Sequence, residues 1–280
     1  AEFALPDLYG DKIPDRTNWL FTMFEGTTLN PRYANSIKKA DFILTPSTWV
    51  KNLFDKYFDP EKVFIVSHGV ETDFTFKKRH FPQDRPFRYL WLGAPNPRKG
   101  WEEVIHTWEQ VFKNVPGIEL YVKTTLIEGL QRNGNVIVDG RNLSREELIG
   151  LYHDAHCFLF PSRGEGFGLT LAEAMRTGLP CIGTNYSGQT DFFDDEVGYT
   201  IGYKLGDGEI QFVGDKKKYK TKIAFPKVDE MANYMIHVMT NYKEALKKGV
   251  NASYRIKTKF TWEMAAQKLV NLINEHGDWY

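Results

Sequence analysis

The 280-residue sequence has little cysteine, no net charge and no long apolar run. Its two cysteines, Cys157 and Cys181, lie in short apolar stretches, so we expect buried thiols in a reducing compartment. The 36 basic and 36 acidic residues cancel, which argues against binding nucleic acid by net charge alone. No stretch reaches the roughly 20 apolar residues that span a bilayer, and no signal peptide is apparent. These absences predict a cytoplasmic protein without a transmembrane segment.

Patterns typical of metal sites are also absent. The sequence contains no Asp-x-Asp motif, and the acidic run within residues 191–196 has a different spacing. His106, His153 and His156 have no metal-ligand residues at suitable spacing, so we expect structural roles for them. We therefore predict neither a metal site nor a resident cofactor.

Short apolar segments alternate with helix-like segments along most of the chain. The clearest strands are FRYLWLG, ELYVKT, NVIVDG and CFLF, all between residues 87 and 160. Apolar strands of this length separated by helices are typical of βαβ units and a parallel sheet. A shorter alternation occupies residues 17–66. We therefore predict an α/β fold with an N-terminal lobe at 1–80, a larger lobe at 87–255 and a terminal helix at 256–280.

The terminal helix has a recognisable start and an apolar stripe. Thr261 is a favourable N-cap residue. Six residues after it are predicted to share one face of the helix: Trp262, Ala265, Ala266, Leu269, Val270 and Ile273. We expect this helix to pack back on the N-terminal lobe.

Ligands of doubly wound sheets bind beyond the carboxyl ends of the strands. The first polar loop there runs from Gly93 to Gly100 and carries Arg98 and Lys99 at the start of a helix. Free amides beside two cations suit a diphosphate. Taken alone, the loop is equally compatible with two solvated cations.

The second loop, SRGEGFG, begins at Ser162 and leads into a helix that contains Glu173. Its glycines allow close approach of the backbone to a ligand, and the helix start favours an anion. Glu165 and Glu173 would lie up to roughly 12 Å apart along the helix axis. A glycosidase acid/base pair needs about 5 to 9.5 Å. The spacing therefore favours two contacts on one extended ligand.

The segment GEGFGLTLAEAMRTGLPCIGTNYSG resembles the Glu-x7-Glu signature of retaining GT-B glycosyltransferases, family 4 in particular. VFIVSHGVETDF, YLWLGAPNPRKGW and FTWEMAAQKL resemble other landmarks of that family, and the resemblance covers about residues 40–275. It implies a GT-B fold with two Rossmann-like lobes and parallel sheets. It also implies metal-independent transfer of a sugar from a UDP- or GDP-linked donor to an acceptor hydroxyl, with retention of anomeric configuration.

The same resemblance implies roles for individual residues. Glu165 would face the donor sugar, Lys99 would neutralise the diphosphate, and Arg98 would substitute for an arginine that the family usually has at Ala94. Glu173 would bind the ribose hydroxyls. Further donor contacts would come from Gly166, Phe167, Gly168, Leu169, Gly93 and Asn142. His68 is a candidate because of its position, at a strand end before Gly69 and close to the expected cleft, where it could contact the donor or the acceptor. That position is equally compatible with a structural histidine at a hinge.

The N-terminal lobe departs from the family pattern. Only about 70 to 85 residues precede the linker, which predicts an abbreviated lobe, either naturally short or lacking its opening strands. Two alternatives to a transferase stay open: a non-catalytic subunit that binds a sugar nucleotide, and a GT-B epimerase. The acceptor also stays open among a saccharide, a lipid-linked glycan, a protein and a modified nucleic acid.

Overall fold

The structure is a computed structural model that describes residues 13–94, 96–211 and 218–277. The N-terminal part contains a three-stranded parallel sheet and two short helices, which we call the small lobe. Its elements are β1 (Trp19–Phe21), α1 (Pro31–Ile37), β2 (Phe42–Thr45), α2 (Thr48–Phe54) and β3 (Val63–Ile65).

A seven-stranded sheet and five helices form what we call the large lobe. Its strands are β4 (Phe87–Leu92), β5 (Ile118–Lys123), β6 (Leu130–Asn133), β7 (Val136–Asp139), β8 (Cys157–Phe160), β9 (Cys181–Thr184) and β10 (Tyr199–Ile201). Its helices are α3 (Trp101–Val111), α4 (Arg145–Asp154), α5 (Leu169–Arg176), α6 (Val228–Thr240) and α7 (Tyr242–Lys259). The spatial order is β10-β9-β8-β4-β5-β7-β6, and only β6 runs antiparallel to its neighbour.

Helices cover both faces of the large sheet. Residues of α4 and α5 share one apolar cluster with the sheet, and residues of α3 and α6 share another on the opposite face. Because the sheet is covered twice, every residue of β8 and β9 is buried. The alternation of strands and helices predicted from the sequence is confirmed for this sheet.

The last helix, α8 (Trp262–His276), returns to the small lobe. Ala265, Leu269 and Leu272 pack against Leu44 and Val66 of that lobe. The apolar face predicted for this helix was too wide, because the helix contacts the small lobe along only one narrow row of side chains. Three of its six predicted members are exposed: Trp262, Ala266 and Val270. Leu272, which is buried, was not among the six.

A β-hairpin that the sequence analysis did not predict follows β10. It consists of β11 (Tyr203–Gln211) and β12 (Lys218–Pro226), which pair antiparallel. Ile210 and Ile223 of the hairpin are buried in the core of the small lobe. The Oγ1 of Thr221 accepts a hydrogen bond of 2.9 Å from the amide of Thr27. The hairpin therefore leaves the large sheet and completes the core of the other lobe.

None of the helices within the described residues combines the length and apolar character that a membrane-spanning segment requires. The two cysteines are free and buried.

Candidate active site

The two loops singled out in the sequence lie side by side, because the strands that precede them, β4 and β8, are parallel neighbours. The amide of Arg163 donates a hydrogen bond of 2.7 Å to the carbonyl of Arg98. Gly100 has a φ of 73°, and a Cβ there would lie 2.0 Å from the carbonyl oxygen of Pro161. Only glycine permits this contact, which brings Lys99 to Glu165.

Glu165 is a buried carboxylate held by three side chains. The Nζ of Lys99 lies 2.7 and 2.9 Å from its two oxygens. The hydroxyl of Ser162 donates to it at 2.7 Å, and the Nη1 of Arg98 lies 3.3 Å away. Burial acts to raise the pKa of Glu165, but the charges of Lys99 and Arg98 outweigh it and lower the pKa to about 2. The carboxylate is therefore ionised at neutral pH.

Arg98 lies between two carboxylates. Its Nη2 is 3.3 Å from Glu25, which belongs to the segment after β1, and its Nη1 faces Glu165. Nη1 also donates to the carbonyl of Gly164. With Lys99 included, the cluster holds two positive and two negative charges. Arg98 is therefore already neutralised by protein groups, which sequence analysis did not foresee.

The glycine loop is packed against the small lobe. A Cβ on Gly164 would lie 2.5 Å from the carbonyl of Glu25, and one on Gly166 would lie 2.5 Å from the Sδ of Met23. The hydroxyl of Ser47 donates to the carbonyl of Gly166 at 2.7 Å. The packing of the lobes thus accounts for these two glycines, whereas the sequence analysis explained them by ligand approach alone.

The start of α5 is open to an anion. Gly168 is its N-cap in the left-handed region, with a φ of 105°, and offers no side chain to cap the first turn. The first turn also carries no acidic residue, and Leu169 is exposed. Within the described residues the amides of Gly166, Phe167 and Gly168 donate no hydrogen bond. Unpaired amides at a helix start favour a negatively charged ligand.

Glu173, in α5, has a different environment from Glu165. The hydroxyl of Tyr152 donates a hydrogen bond of 2.7 Å to its carboxyl group. Burial raises the pKa of Glu173 to about 7, against the opposing effects of that hydrogen bond and of the charge of Arg145. The two glutamates of one motif therefore have oppositely shifted pKa values.

His68, another predicted donor contact, lies beside the glycine loop. Its ring is 5.3 Å from the ring of Phe167 and 5.8 Å from that of Trp262, both edge-on. Burial lowers the pKa of His68 to about 4, so its imidazole is neutral at pH 7. The buried side chain of Phe167 also packs on Phe192, so only the backbone of Phe167 is available to a ligand.

The remaining predicted contacts lie at the same edge of the sheet. The amide of Gly93 donates to the carbonyl of Lys123 at 3.1 Å, which ties the first loop to β5. Asn142 is exposed in the loop that follows β7 and makes no hydrogen bond to the described residues. The structure does not bring Asn142 into the cluster around Glu165.

Four residues of this region were not predicted from the sequence: Glu25, Tyr152, Ser162 and Ser187. Ser187 accepts a hydrogen bond of 2.8 Å from the amide of Glu165. Ser162, three residues before Glu165, is the one that proximity in sequence could have indicated. The other three come from distant segments and have no local signal.

No three His, Cys, Asp or Glu side chains come together to form a possible metal site in residues 13–94, 96–211 and 218–277. The expectation of metal-independent chemistry stays a prediction.

Comparison with known proteins agrees with the resemblance in the sequence. The model of the family described as "Family 4 Glycosyltransferase in conflict systems" matches residues 45–269. A UDP-N-acetylglucosamine–peptide N-acetylglucosaminyltransferase GtfA subunit of Streptococcus agalactiae is 26% identical, over 86% of this chain and 47% of the relative. A probable sucrose-phosphate synthase of Thermosipho melanesiensis is 24% identical, over 86% of this chain and 56% of the relative. The chain spans about half the length of these relatives.

The fold has a counterpart among solved structures. HepE of Anabaena, in complex with UDP and glucose, superposes with a TM-score of 0.67 at 14% identity, over 91% of this chain and 71% of HepE. The chain thus has a GT-B type α/β fold, with two Rossmann-like lobes and parallel sheets. Since the family model matches most of its length, the chain belongs to the family 4 glycosyltransferases in conflict systems.

Proposed function

We propose that this chain provides the donor site of a glycosyltransferase that moves a sugar from a nucleotide-diphosphate sugar to an acceptor hydroxyl. The observation that carries the proposal is the pairing of the buried, ionised Glu165 with Lys99, next to the uncapped start of α5. Family membership supports the same chemistry. The alternatives, a binding subunit and an epimerase, have no observation of their own in the described residues.

The diphosphate of the donor would be bound by the amides of residues 166–168 and by Lys99. Lys99 is the less buried of the two cations, with 23% of its side chain exposed against 11% for Arg98. Negative charge that develops on the leaving diphosphate would be stabilised by these preorganised groups. Arg98, paired with Glu25 and Glu165, would position the carboxylate, with a weaker direct effect on the phosphates.

Glu165 would contact the donor sugar and favour positive charge at the anomeric carbon. The acceptor hydroxyl would attack from the face that the diphosphate leaves, and a phosphate oxygen would take its proton. This route retains the anomeric configuration and requires no metal. Glu173 would bind the ribose hydroxyls in its ionised form.

A UDP-linked sugar is the first donor to test. HepE was solved with UDP and glucose, and the streptococcal relative is named for UDP-N-acetylglucosamine. A GDP-linked sugar is the second candidate.

The test has two steps. Calorimetric titration with UDP- and GDP-sugars should give saturable binding for one base, weakened by Lys99→Ala. Proton NMR of the product formed with an acceptor library should then show the anomeric configuration of the donor. An inverted product would exclude the retaining mechanism. Binding without transfer to any acceptor would favour the binding subunit, and release of an epimerised sugar nucleotide would favour the epimerase.

A further inference from the structure

A cavity of about 230 Å³ lies between residues 77–85, which lead into β4, and the end of α4. It is on the side of the large sheet where β4 and β8 begin, whereas Glu165 follows the opposite end of β8. Four cationic side chains and three imidazoles line it, and none of its lining residues carries a carboxylate: Lys77, Lys78, Arg79, Arg85, His80, His153 and His156. The described part of this cavity is therefore strongly basic.

His156 has a fixed tautomer. The amide of Arg88 donates a hydrogen bond of 2.9 Å to its Nδ1, so Nδ1 carries no proton. A neutral imidazole must then carry its proton on Nε2. Burial, together with the charges of Arg85, Arg79 and Arg88, lowers the pKa of His156 to about 4, which keeps the ring neutral. His156 therefore presents an N–H donor at Nε2.

The Nε2–H group of His156 faces a second hydrogen-bond donor, the guanidinium of Arg85. The Nη2 of Arg85 lies 3.5 Å from the Nε2 of His156. Arg85 has no acceptor capacity, and the Nε2 of this tautomer has none either, so the two groups form no hydrogen bond with each other. His156 is 2% exposed, so its N–H has little access to solvent. One oxygen placed between the two groups would accept from both.

The other three cationic side chains of the cavity differ in whether they are free to bind a ligand. Arg79 uses its guanidinium on backbone carbonyls at the ends of α4 and α5, with hydrogen bonds of 2.8 Å to Tyr152 and 2.7 Å to Thr177. It is therefore not free to bind a ligand. Lys77 and Lys78 are exposed, and neither has an ion-pair partner among the described residues.

The carboxylate of Asp154 pairs with Arg85 and competes only weakly with a bound anion. Asp154 lies 3.6 Å from the Nη1 of Arg85 and 4.0 Å from Arg88, and its side chain is 58% exposed. An exposed pair of this length contributes little. The atom of Arg85 closest to Asp154 is Nη1, whereas the atom that faces His156 is Nη2.

We propose that this cavity binds a phosphate group, with Arg85 and the Nε2 of His156 donating to one of its oxygens and Lys77 and Lys78 balancing its charge. A volume of about 230 Å³ is below the roughly 300–1,000 Å³ of sites for larger ligands, so the ligand is a small one. It is either free phosphate or a small phosphate ester. The site is separate from the donor site and does not depend on the proposed transferase activity.

Calorimetric titration of the chain with inorganic phosphate and with glycerol 3-phosphate, at constant ionic strength, tests the proposal. Arg85→Gln should weaken binding at least tenfold, because it removes a charge-assisted hydrogen bond. Arg132→Gln is the matched control, since its side chain is 57% exposed and also has one carboxylate partner. If glycerol 3-phosphate binds more tightly than inorganic phosphate, the ligand is a phosphate ester. If it binds more weakly, the ligand is free phosphate.

Inorganic phosphate can also bind at the donor site. The Lys99→Ala variant distinguishes binding at the donor site from binding in the cavity. Binding that survives Lys99→Ala and is lost in Arg85→Gln supports the proposal, and the reverse pattern overturns it. Absence of binding for both probes also overturns it. Long-range proton–nitrogen NMR supplies an independent check: the Nε2 proton of His156 should shift on addition of phosphate. A proton found on Nδ1 would contradict the tautomer on which the site rests.

Discussion

Arg98 and Glu25 form an ion pair of 3.3 Å that joins the loop after β4 to the segment after β1. The same guanidinium lies 3.3 Å from Glu165, the carboxylate assigned to the donor sugar. The contact between the lobes and the charge balance around Glu165 therefore share one side chain. Any movement of the small lobe away from the glycine loop would release Arg98 from Glu25.

Lys99→Ala should reduce turnover far more than Arg98→Ala. Lys99 is assigned to the leaving diphosphate, and loss of one such group typically costs about 10²- to 10³-fold in kcat. Arg98→Ala should cost less, because Arg98 already has two carboxylate partners. Steady-state kinetics of both variants check this, with Lys113→Ala, an exposed lysine of similar size, as control. Equal rates for Arg98→Ala and the parent would show that Arg98 does not replace the missing arginine at Ala94.

Glu165→Gln should lower kcat more than it changes KM. The neutral amide cannot favour the positive charge that develops at the anomeric carbon, and that interaction strengthens toward the transition state. Glu25→Gln is the matched control, because it removes the other charged partner of Arg98 but leaves the group at the sugar intact. Full kcat in Glu165→Gln would remove Glu165 from the reaction.

Glu173→Ala should weaken donor affinity by about 1.5 to 3 kcal/mol, because two ribose hydroxyls lose a charged acceptor. Since the pKa of Glu173 is raised to about 7, donor affinity of the parent should also increase as pH rises through 7. Calorimetry at pH 6 and pH 8 measures both effects. A parent affinity that does not vary with pH would mean that Glu173 binds the donor in its neutral form or not at all.

The two glutamates should affect stability in opposite directions. The folded-state pKa of Glu173 lies above its usual value of 4.5, so ionisation costs stability as pH rises from 4.5 to 7. Glu173→Gln should therefore gain Tm relative to the parent between pH 5 and pH 8. The pKa of Glu165 is lowered to about 2, so its contribution is present above pH 4.5 and is lost below.

Glu165→Gln should consequently be less stable than the parent at pH 7, and the gap should narrow toward pH 3. Thermal denaturation of Glu165→Gln, Glu173→Gln and the parent across this pH range measures how the Tm of each protein changes with pH. Parallel pH profiles for Glu165→Gln and Glu173→Gln would contradict the opposite environments that the structure gives these residues.

Ile223→Ala should destabilise the chain by about 2 to 5 kcal/mol, the usual cost of emptying a buried aliphatic site. Ile223 is buried in the core of the small lobe although the hairpin follows the last strand of the large sheet. Leu205→Ala, in the same hairpin but 52% exposed, is the control and should have little effect. Chemical denaturation of both variants decides whether the hairpin is part of the cooperative core.

Much of the large lobe could be predicted because its signals are local. Ser144 caps α4 and exchanges two hydrogen bonds with Glu147, a pattern visible at a spacing of three residues. Gly178 adopts a φ of 75° just after α5, as expected of a glycine that ends a helix. The apolar strands were equally clear, because burial on both faces requires continuous apolar runs.

The hairpin was missed although β12 carries a readable signal. Tyr219, Thr221 and Ile223 alternate with lysines, as expected of a strand with one buried face. That pattern predicts a strand, but it does not identify the surface that the strand covers. Its partner, the core of the small lobe around Phe24 and Leu29, lies about 190 residues earlier in the chain.

The sequence by itself determined most of the alternation of strands and helices in the large lobe, and the two loops at the carboxyl ends of β4 and β8 that carry Lys99 and Glu165. Only the tertiary structure decided the electrostatics of that site. Glu25 and Lys99 reach the cluster from segments far from Glu165, and burial of Glu173 beside Tyr152 requires α4 and α5 to pack together. Charge interactions and desolvation depend on distances in space, and for these residues distance along the chain does not specify them.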